Sequence, residues 1–273
     1  MEGLSLLRIK FLHYHFTLVA PATTFRFRRV DPGIETLPSS FSLPRHRHLC
    51  AYATVVLAGS FEESGYVGRI CATAGDVLVH PTLDCHGNQM ISAGVKLIRL
   101  AWREGSQIGG LYRLNNVDEL ARVSEKDLPG AALLLESSLQ KDGRPSPGIK
   151  NDWPDLLLAA LLTNLSTEIG VWAETNGLAR ETVSRGFTLA YGITPSVFRA
   201  EWRARSAWLR VAHGSDRLSQ IALDTGFADQ AHMTRWIRRI TGRPPLAWRP
   251  ESVRPKSQPW RVEPKSCLSP HAK

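Results

Sequence analysis

The feature that most constrains this 273-residue chain is an internal repeat in its last third. A set of apolar residues, glycines and arginines recurs at an offset of 49 residues and, after one extra residue, at an offset of 50. A period of about 20–50 residues indicates a supersecondary unit that is used more than once. The repeat is carried by the pairs Ala173/Ala222, Gly177/Gly226, Val183/Met233, Arg185/Arg235, Phe187/Ile237, Gly192/Gly242, Pro195/Pro245 and Arg199/Arg249.

Each copy has the pattern of two helices joined by a glycine turn. In the second copy, residues 221–225 predict a short helix, and Gly226 can take the left-handed conformation that a tight helix exit needs. Met233 and Ile237 lie four residues apart and therefore share one face of the next helix. The opposite face carries amides, hydroxyls and guanidinium groups, which is the chemistry that reads base edges and grips phosphates.

The segment between the two copies, from Ser196 to Ala212, predicts a single helix that ends before Gly214. At about 1.5 Å per residue this helix is roughly 25 Å long. A rigid spacer of that length can hold two recognition helices in successive major-groove faces, which lie about 34 Å apart on a duplex.

The second copy, from Ile221 to Arg249, resembles the signature of AraC/XylS-type transcription regulators. The resemblance rests on the order and spacing Ile221-Ala222-x3-Gly226-Phe227-x5-Met233-Thr-Arg235-x-Ile237-x4-Gly242-x2-Pro245-x3-Arg249 and covers residues 166–250. It implies an all-helical module in which two helices enter adjacent major-groove segments. By position, the DNA-facing residues that it implies are Arg180, Glu181, Ser184, Arg185, Gln230, Ala231, Thr234 and Arg235.

Some positions depart from that pattern or allow a second interpretation. The N-cap of the first recognition helix is Ala179, where a hydroxyl residue is usual, and the missing cap lowers stability by about 1 kcal/mol. Ala231 is too short to reach a base edge, so we expect it to touch a thymine methyl group or nothing. Arg185 and Arg235 can instead pair with neighbouring carbonyl groups and anchor their own units.

Charge separates the two parts of the chain. The formal net charge is +9, yet residues 1–170 are neutral, with 17 Lys and Arg against 17 Asp and Glu. Residues 171–250 hold 12 basic against 6 acidic residues, and residues 251–273 hold 5 against 2. A basic region beside a neutral one indicates a polyanionic partner. We therefore predict that residues 166–250 bind double-stranded DNA and that residues 251–273 form a disordered basic tail.

Residues 23–103 show short alternating segments that are separated by glycines. Segments such as Tyr52–Leu57 and Val95–Trp102 predict strands with no intervening helix. This predicts an antiparallel β-barrel or sandwich that can enclose one small ligand. The expected fold class is therefore α+β and multidomain, with a barrel before an all-α domain of two helix-turn-helix units. Residues 104–165 predict a helical connector, and residues 1–22 an N-terminal extension.

Two pieces of the predicted barrel are similar to the motifs of cupins. They are His46-x-His48 followed by Gly59, and Gly75-x5-Pro81 followed by His86. In metal-binding cupins such histidines and a glutamate ligate a divalent ion, but the glutamate position here holds Tyr52. We assign no metal and no cofactor on this ground, although three imidazoles can hold a metal without a carboxylate.

The alternative is that these histidines line a ligand pocket or are merely structural. The residues that we expect to line the pocket are His46, His48, Tyr52 and His86. Asp84 and Asn88 are expected to fix the tautomers of the histidine rings.

The expected function is that of a cytoplasmic, sequence-specific transcription regulator of the AraC type, acting as activator or repressor. Its barrel would sense a small-molecule effector or form a homodimer, and RNA polymerase is a further expected partner. One alternative is a metal-dependent cupin enzyme fused to a DNA-binding module, which leaves the repeat unexplained, so we expect no enzyme. Another is a DNA-alkylation repair protein, which needs a cysteine cluster that the spacing of the four cysteines does not offer. No run reaches the ~18 apolar residues of a membrane span.

Overall fold

The computed structural model describes residues 27–103 and 109–249. The predicted extension at 1–22 and the predicted tail at 251–273 lie outside the described residues. The strands are β1 (Gly33–Pro38), β2 (Ser42–Arg47), β3 (Tyr52–Ala58), β4 (Ser60–Gly65), β5 (Gly68–Thr73), β6 (Asp76–His80), β7 (Cys85–Met90), β8 (Gly94–Ala101), β9 (Gly110–Arg113) and β10 (Arg144–Pro145). The helices are α1 (Asp118–Ser124), α2 (Leu128–Asp142), α3 (Trp153–Thr163), α4 (Ile169–Thr175), α5 (Arg180–Tyr191), α6 (Pro195–His213), α7 (Leu218–Asp224), α8 (Gln230–Thr241) and a 3-10 helix at Pro245–Trp248.

The strands form two antiparallel sheets that pack face to face. The larger sheet has the order β1-β8-β3-β6-β9-β10, and the smaller has the order β2-β7-β4-β5. Successive side chains of a strand point to opposite faces, so each sheet supplies one row of apolar residues to the space between them. Leu97 of the larger sheet and Phe61 of the smaller belong to this buried layer. We call the two-sheet unit the barrel, and its antiparallel architecture confirms the predicted fold class.

Helices α1 and α2 cover the outer face of the larger sheet. Leu135 and Leu139 of α2 share a buried cluster with Ile98 and Leu100 of β8. The segment predicted as a helical connector contains α1, α2 and α3, but it also supplies β9 and β10. Strand β9 pairs with β6 along its full length, so this segment completes the sheet as well as covering it.

The helices that follow form the two helix-turn-helix units. The turn of the first unit places Gly177 at φ 66°, and the turn of the second places Gly226 at φ 76°. Helix α6 joins the units as one continuous helix of 19 residues, which is roughly 28 Å long at 1.5 Å per residue. The residues predicted to face inwards are all buried: Val183, Phe187, Ile221, Ala222, Phe227, Met233 and Ile237.

The last arginine of each repeat has a structural role that the sequence pattern did not reveal. Arg199 donates to the carbonyl oxygen of Thr167 at 3.0 Å, just before the first helix of its unit. The matched Arg249 donates to the carbonyl oxygens of Gly214 and Asp216, just before the first helix of the second unit. Each arginine therefore ties the end of its unit to the loop that precedes it, which uses the several donors of one guanidinium group.

The outer face of the smaller sheet packs against the C-terminal helices. Tyr66, in the turn between β4 and β5, and Cys85 of β7 share a buried cluster with Phe187 of α5 and Phe198 of α6. Leu83, in the turn between β6 and β7, is buried in the core of the second unit. The molecule is therefore layered, from α1 and α2 through the two sheets to the helix-turn-helix units. Within the described residues, no helix combines the length and the apolar character that a membrane span requires.

Candidate nucleic-acid interface and barrel pocket

The residues implied as DNA-facing lie on the outer faces of α5 and α8. Each helix turns its apolar residues inwards, so each predicted set shares one solvent-facing surface. On α5, Arg180, Glu181 and Arg185 are exposed and Ser184 is partly buried. On α8, Gln230, Ala231 and Arg235 are exposed and Thr234 is partly buried.

The two recognition helices begin differently. Ala179 gives the N-terminus of α5 no side-chain cap, as the sequence predicts. In α8 the N-cap is Asp229, whose side chain accepts a hydrogen bond from the backbone nitrogen of His232 at 2.6 Å. Such a cap stabilises a helix by typically ~1 kcal/mol, so the second recognition helix has the better-formed N-terminus.

The two matched arginines also differ. The Nε of Arg185 donates to the carbonyl oxygen of Glu181 at 3.4 Å, one turn earlier in α5. The Arg235 guanidinium makes no hydrogen bond or ion pair with any residue in the described part of the chain. Anchoring to a neighbouring carbonyl therefore has support at Arg185, whereas the donors of Arg235 are all available to a partner.

The barrel encloses a cavity of about 240 Å³ between its two sheets. All four residues predicted to line a pocket face this cavity: His46, His48, Tyr52 and His86. Apolar side chains such as Leu97 and a carboxylate, Glu63, face it as well. The three histidine rings of the lining lie together, with ring centroids 4.7 to 5.2 Å apart.

Two of these histidines are oriented by backbone carbonyl groups. The Nδ1 of His46 bonds to the carbonyl oxygen of Pro44 at 3.0 Å, and the Nδ1 of His48 bonds to that of Arg28 at 2.9 Å. A neutral imidazole that donates from Nδ1 keeps its lone pair on Nε2. The buried Nε2 of His48 has no hydrogen-bond partner among the described residues, so this ring presents an unused acceptor.

The third ring, His86, is oriented by a carboxylate. Asp84 accepts hydrogen bonds at 2.9 Å from Nδ1 of both His86 and His80, and Asp84 thus has the role that the sequence predicted. Burial raises the pKa of Asp84, but the two histidine hydrogen bonds outweigh it and hold the pKa well below its usual value. The Nε2 of His86 lies 3.2 Å from the hydroxyl of Tyr52.

Glu63, which the cupin-like motifs did not indicate, is a buried carboxylate near one of the three histidines. It lies on β4 opposite Asn88 of β7, and its Oε2 is 3.8 Å from Nε2 of His86. The prediction that Asn88 fixes a histidine tautomer is wrong, because its amide donates to Glu63 at 2.7 Å. Sequence spacing could not reveal Glu63, since only the register of β4 against β7 brings it to the histidines.

These donors fit a divalent transition-metal cation. One ligand atom from each of His46, His48 and His86 lies within 4.8 Å of the others, and tetrahedral bonds of ~2.1 Å need separations of roughly 3.4 Å. Burial lowers the pKa of His46 to about 3 and that of His48 well below its usual value. Both rings are therefore neutral, which is the form that binds a metal. Burial also lowers the pKa of His86, but the carboxylates of Glu63 and Asp84 outweigh burial and raise it.

A second possible donor group shares one histidine with the first. It consists of Glu63, His80, Asp84 and His86, which also offer ligand atoms within 4.8 Å of one another. Neither group contains a cysteine, so the DNA-alkylation repair alternative gains no support from the described residues.

Residues 172–251 match the helix-turn-helix domain family. The fold and the two exposed recognition faces thus define a DNA-binding protein. More particularly, residues 172–251 form a helix-turn-helix domain of the AraC type. No curated protein sequence matches the chain.

Among solved structures, the chain is similar to ToxT from Vibrio cholerae with a bound unsaturated fatty acid, at 9% identity and a TM-score of 0.36 over 81% of this chain and 96% of that one. It is similar to the C-terminal domain of the response regulator yesN from Fusobacterium nucleatum, at 18% identity and a TM-score of 0.32 over 35% and 95%. It is also similar to oxalate decarboxylase from B. subtilis, at 16% identity and a TM-score of 0.20 over 57% and 29%. These TM-scores are too low to carry an argument about function.

Proposed function

We propose that this chain is a sequence-specific transcription regulator that reads duplex DNA with α5 and α8 and responds to a ligand in its barrel. The observation that carries this proposal is the pair of polar recognition faces at either end of α6, in a region with 12 basic against 6 acidic residues. The position of the bound site in the promoter then determines whether the regulator activates or represses transcription by RNA polymerase.

We expect the two faces to contact different parts of the bound site. Arg235 and Gln230 on α8 match the bidentate patterns of guanine and adenine in the major groove. Arg180 and Arg185 on α5 suit guanine or phosphate, and Glu181 can accept from a cytosine amino group. Each good bidentate pair discriminates against the wrong base by ~1–3 kcal/mol, so the arginines should dominate the preference.

Selection of bound sequences from a random duplex pool by the full chain tests this proposal. We expect two sequence elements whose centres lie about 10–10.5 base pairs apart. Arg185→Ala should relax the preference at one element and Arg235→Ala at the other. Arg122→Ala is the matched control, because Arg122 is exposed on α1 and its Nε also bonds to a carbonyl one turn earlier at 3.4 Å. If no sequence is enriched, the proposal fails.

For the barrel, we propose a divalent transition-metal cation as the ligand that His46, His48 and His86 hold. The supporting observation is that each Nδ1 is already bonded, while the buried Nε2 of His48 has no partner among the described residues. A bound cation would supply a fixed positive charge that draws the three rings together.

Titration of the full chain with Co²⁺, followed by its visible absorption, tests this second proposal. Stoichiometric binding should disappear in His48→Ala and persist in His213→Ala, which removes an exposed histidine at the end of α6. Sub-stoichiometric uptake by the unaltered chain would contradict it. A metal-dependent enzyme is the competing interpretation of this centre, and the doubled DNA-binding unit favours a sensor because an enzyme would not need it.

A further inference from the structure

The end of strand β2 and the residue after it, His48, face the cavity with one set of side chains and the DNA-binding helices with the other. His46 and His48 line the cavity, whereas Arg45 and Arg47, which alternate with them, bond to Glu201 of α6. Successive side chains of a strand lie on opposite faces and share one backbone. A displacement of the two histidines therefore displaces the two arginines.

The contact on α6 is a buried cluster of charges around Glu201. Its Oε2 accepts from Arg45 at 3.1 Å, from Arg47 at 3.0 Å and from the hydroxyl of Tyr66 at 3.2 Å. The side chains of Glu201 and Arg47 are fully buried, and that of Arg45 is 10% exposed. Electrostatic interactions are strong and sensitive to geometry in such surroundings. We call Arg45, Arg47, Tyr66 and Glu201 the Glu201 cluster.

The Glu201 cluster also touches the recognition helix of the first unit. The Nη1 of Arg45 donates to the carbonyl oxygen of Tyr191, the last residue of α5, at 3.4 Å. Glu201 itself lies in the N-terminal half of α6, the helix that separates the two units. One displacement of β2 thus acts on both the first recognition helix and the spacer.

The turn between β6 and β7 provides a second connection. His80 and Asp84 belong to the second donor group, which shares His86 with the first. Leu83 between them is buried in the core of the second unit, which also contains Trp208. Leu83 has φ 61°, a left-handed conformation that is strained for a leucine and persists only where packing holds it. Arg47 donates to the carbonyl oxygen of Leu83 at 2.6 Å, so the two connections meet.

We infer that the Glu201 cluster transmits to α6 whether a ligand is bound at His46, His48 and His86, and that it thereby sets the affinity for DNA. This inference rests on the proposed function, since it assumes both DNA binding and a ligand in the barrel. Both recognition helices must enter the duplex together, so a small shift of the spacer between them changes the affinity. A ligand acts through this route only as far as it favours one arrangement of the cluster over another.

Another ion pair crosses the same boundary and provides a control. Arg69 of β5 donates to Asp155 of α3 at 2.8 Å, and the Asp155 side chain is largely buried. None of the residues of β5 lines the cavity. This pair should therefore stabilise the packing of the two parts without changing the effect of the ligand on DNA affinity.

The test compares the dissociation constant of the full chain for its selected duplex with and without saturating Co²⁺. For the unaltered chain we expect the two values to differ by at least about 5-fold, the usual lower range of coupling between sites. Arg45→Met and Glu201→Gln should bring the ratio close to one while the Co²⁺ absorption persists. Arg69→Met should keep the ratio of the unaltered chain.

A double-mutant cycle tests the same route without any ligand. With a chelator present, the effects of His48→Gln and Glu201→Gln on DNA affinity should depart from additivity by at least about 3-fold, as coupled residues do. His48→Gln combined with Arg69→Met should be additive, because Arg69 bonds to Asp152 and Asp155 and to no residue of the Glu201 cluster. Thermal unfolding of every variant, measured beforehand, restricts the comparison to temperatures at which all are folded.

The outcomes separate the inference from the function on which it rests. The inference is overturned if Glu201→Gln and Arg45→Met keep the ratio of the unaltered chain and the first cycle is additive. It is also overturned if the unaltered chain binds Co²⁺ and its DNA affinity does not change. Absence of preferential duplex binding by the unaltered chain would instead refute the proposed function.

Discussion

The two helix-turn-helix units share one sequence pattern but differ in what surrounds them. The core of the first unit includes Tyr66 and Cys85 of the barrel and leucines of α3. Its recognition helix also packs closely on α3, because a Cβ at Gly186 would lie 2.4 Å from the ring of Trp153. The core of the second unit is built from α6, α7 and α8, and the barrel adds Leu83.

This difference indicates that the two units contribute differently to DNA binding and to the response to the ligand. The first unit is fixed by its neighbours and has an uncapped recognition helix, so its position depends on the barrel. The second unit has its own core, the Asp229 cap and an unengaged Arg235. We therefore expect the second unit to supply most of the DNA affinity and the first to carry the response to the ligand.

The largest expected effect is that of a branched residue in the turn of the second unit. Gly226→Val places a β-branched side chain at φ 76°, which strains the backbone by about 1–3 kcal/mol. Its Cβ would also lie 3.2 Å from Nε of Arg203. We expect loss of the second sequence element in the selection experiment, with the first element kept.

Gly177→Val is the matched variant in the first unit. Its φ is 66°, but a Cβ there meets no atom within 4 Å, so the backbone strain acts without crowding. Unfolding followed by circular dichroism should show the smaller loss for Gly177→Val. Equal losses, or loss of both sequence elements in Gly226→Val, would show that the units are not independent.

The next effect concerns the two matched arginines. Arg235→Ala should weaken binding to the preferred duplex by about 1–3 kcal/mol if Arg235 reads a guanine. Arg185→Ala should weaken it less, because the Nε of Arg185 is already bonded to the carbonyl oxygen of Glu181. Dissociation constants for the preferred and for scrambled duplexes show whether Arg235 contacts a base. Equal weakening on both duplexes would mean that Arg235 contacts a phosphate instead.

The smallest effect comes from the N-caps. Asp229→Ala should lower the free energy of unfolding by about 1 kcal/mol, because the hydrogen bond to His232 is lost. Ala179→Ser should raise it by up to a similar amount by capping α5. Urea unfolding measures both, and a stabilisation by Asp229→Ala would contradict the assigned cap.

The local features of this fold could be predicted from the sequence. Glycine and apolar spacing predicted the turns at Gly177 and Gly226 and the buried faces of α5 and α8, because these depend on residues a few positions apart. Alternation likewise predicted an antiparallel barrel, and the resemblance to cupin motifs predicted that His46, His48 and His86 line one pocket.

The features that join distant parts of the chain could not be predicted in this way. Glu63 reaches the histidines through strand register, and Glu201 meets Arg45 and Arg47 across 154 residues or more. Strand β9 joins the sheet from a segment whose pattern indicated helices. Such contacts depend on how finished elements pack, and no local spacing records that.

The central claim is that the repeated units read a specific duplex. Its most direct test is the ratio of the dissociation constants of the full chain for a scrambled and for the selected duplex, at physiological salt. We expect a ratio of at least about 1,000, which is the usual lower range for specific recognition. A ratio near one would contradict the account, because it would leave only the attraction of a basic surface for phosphate.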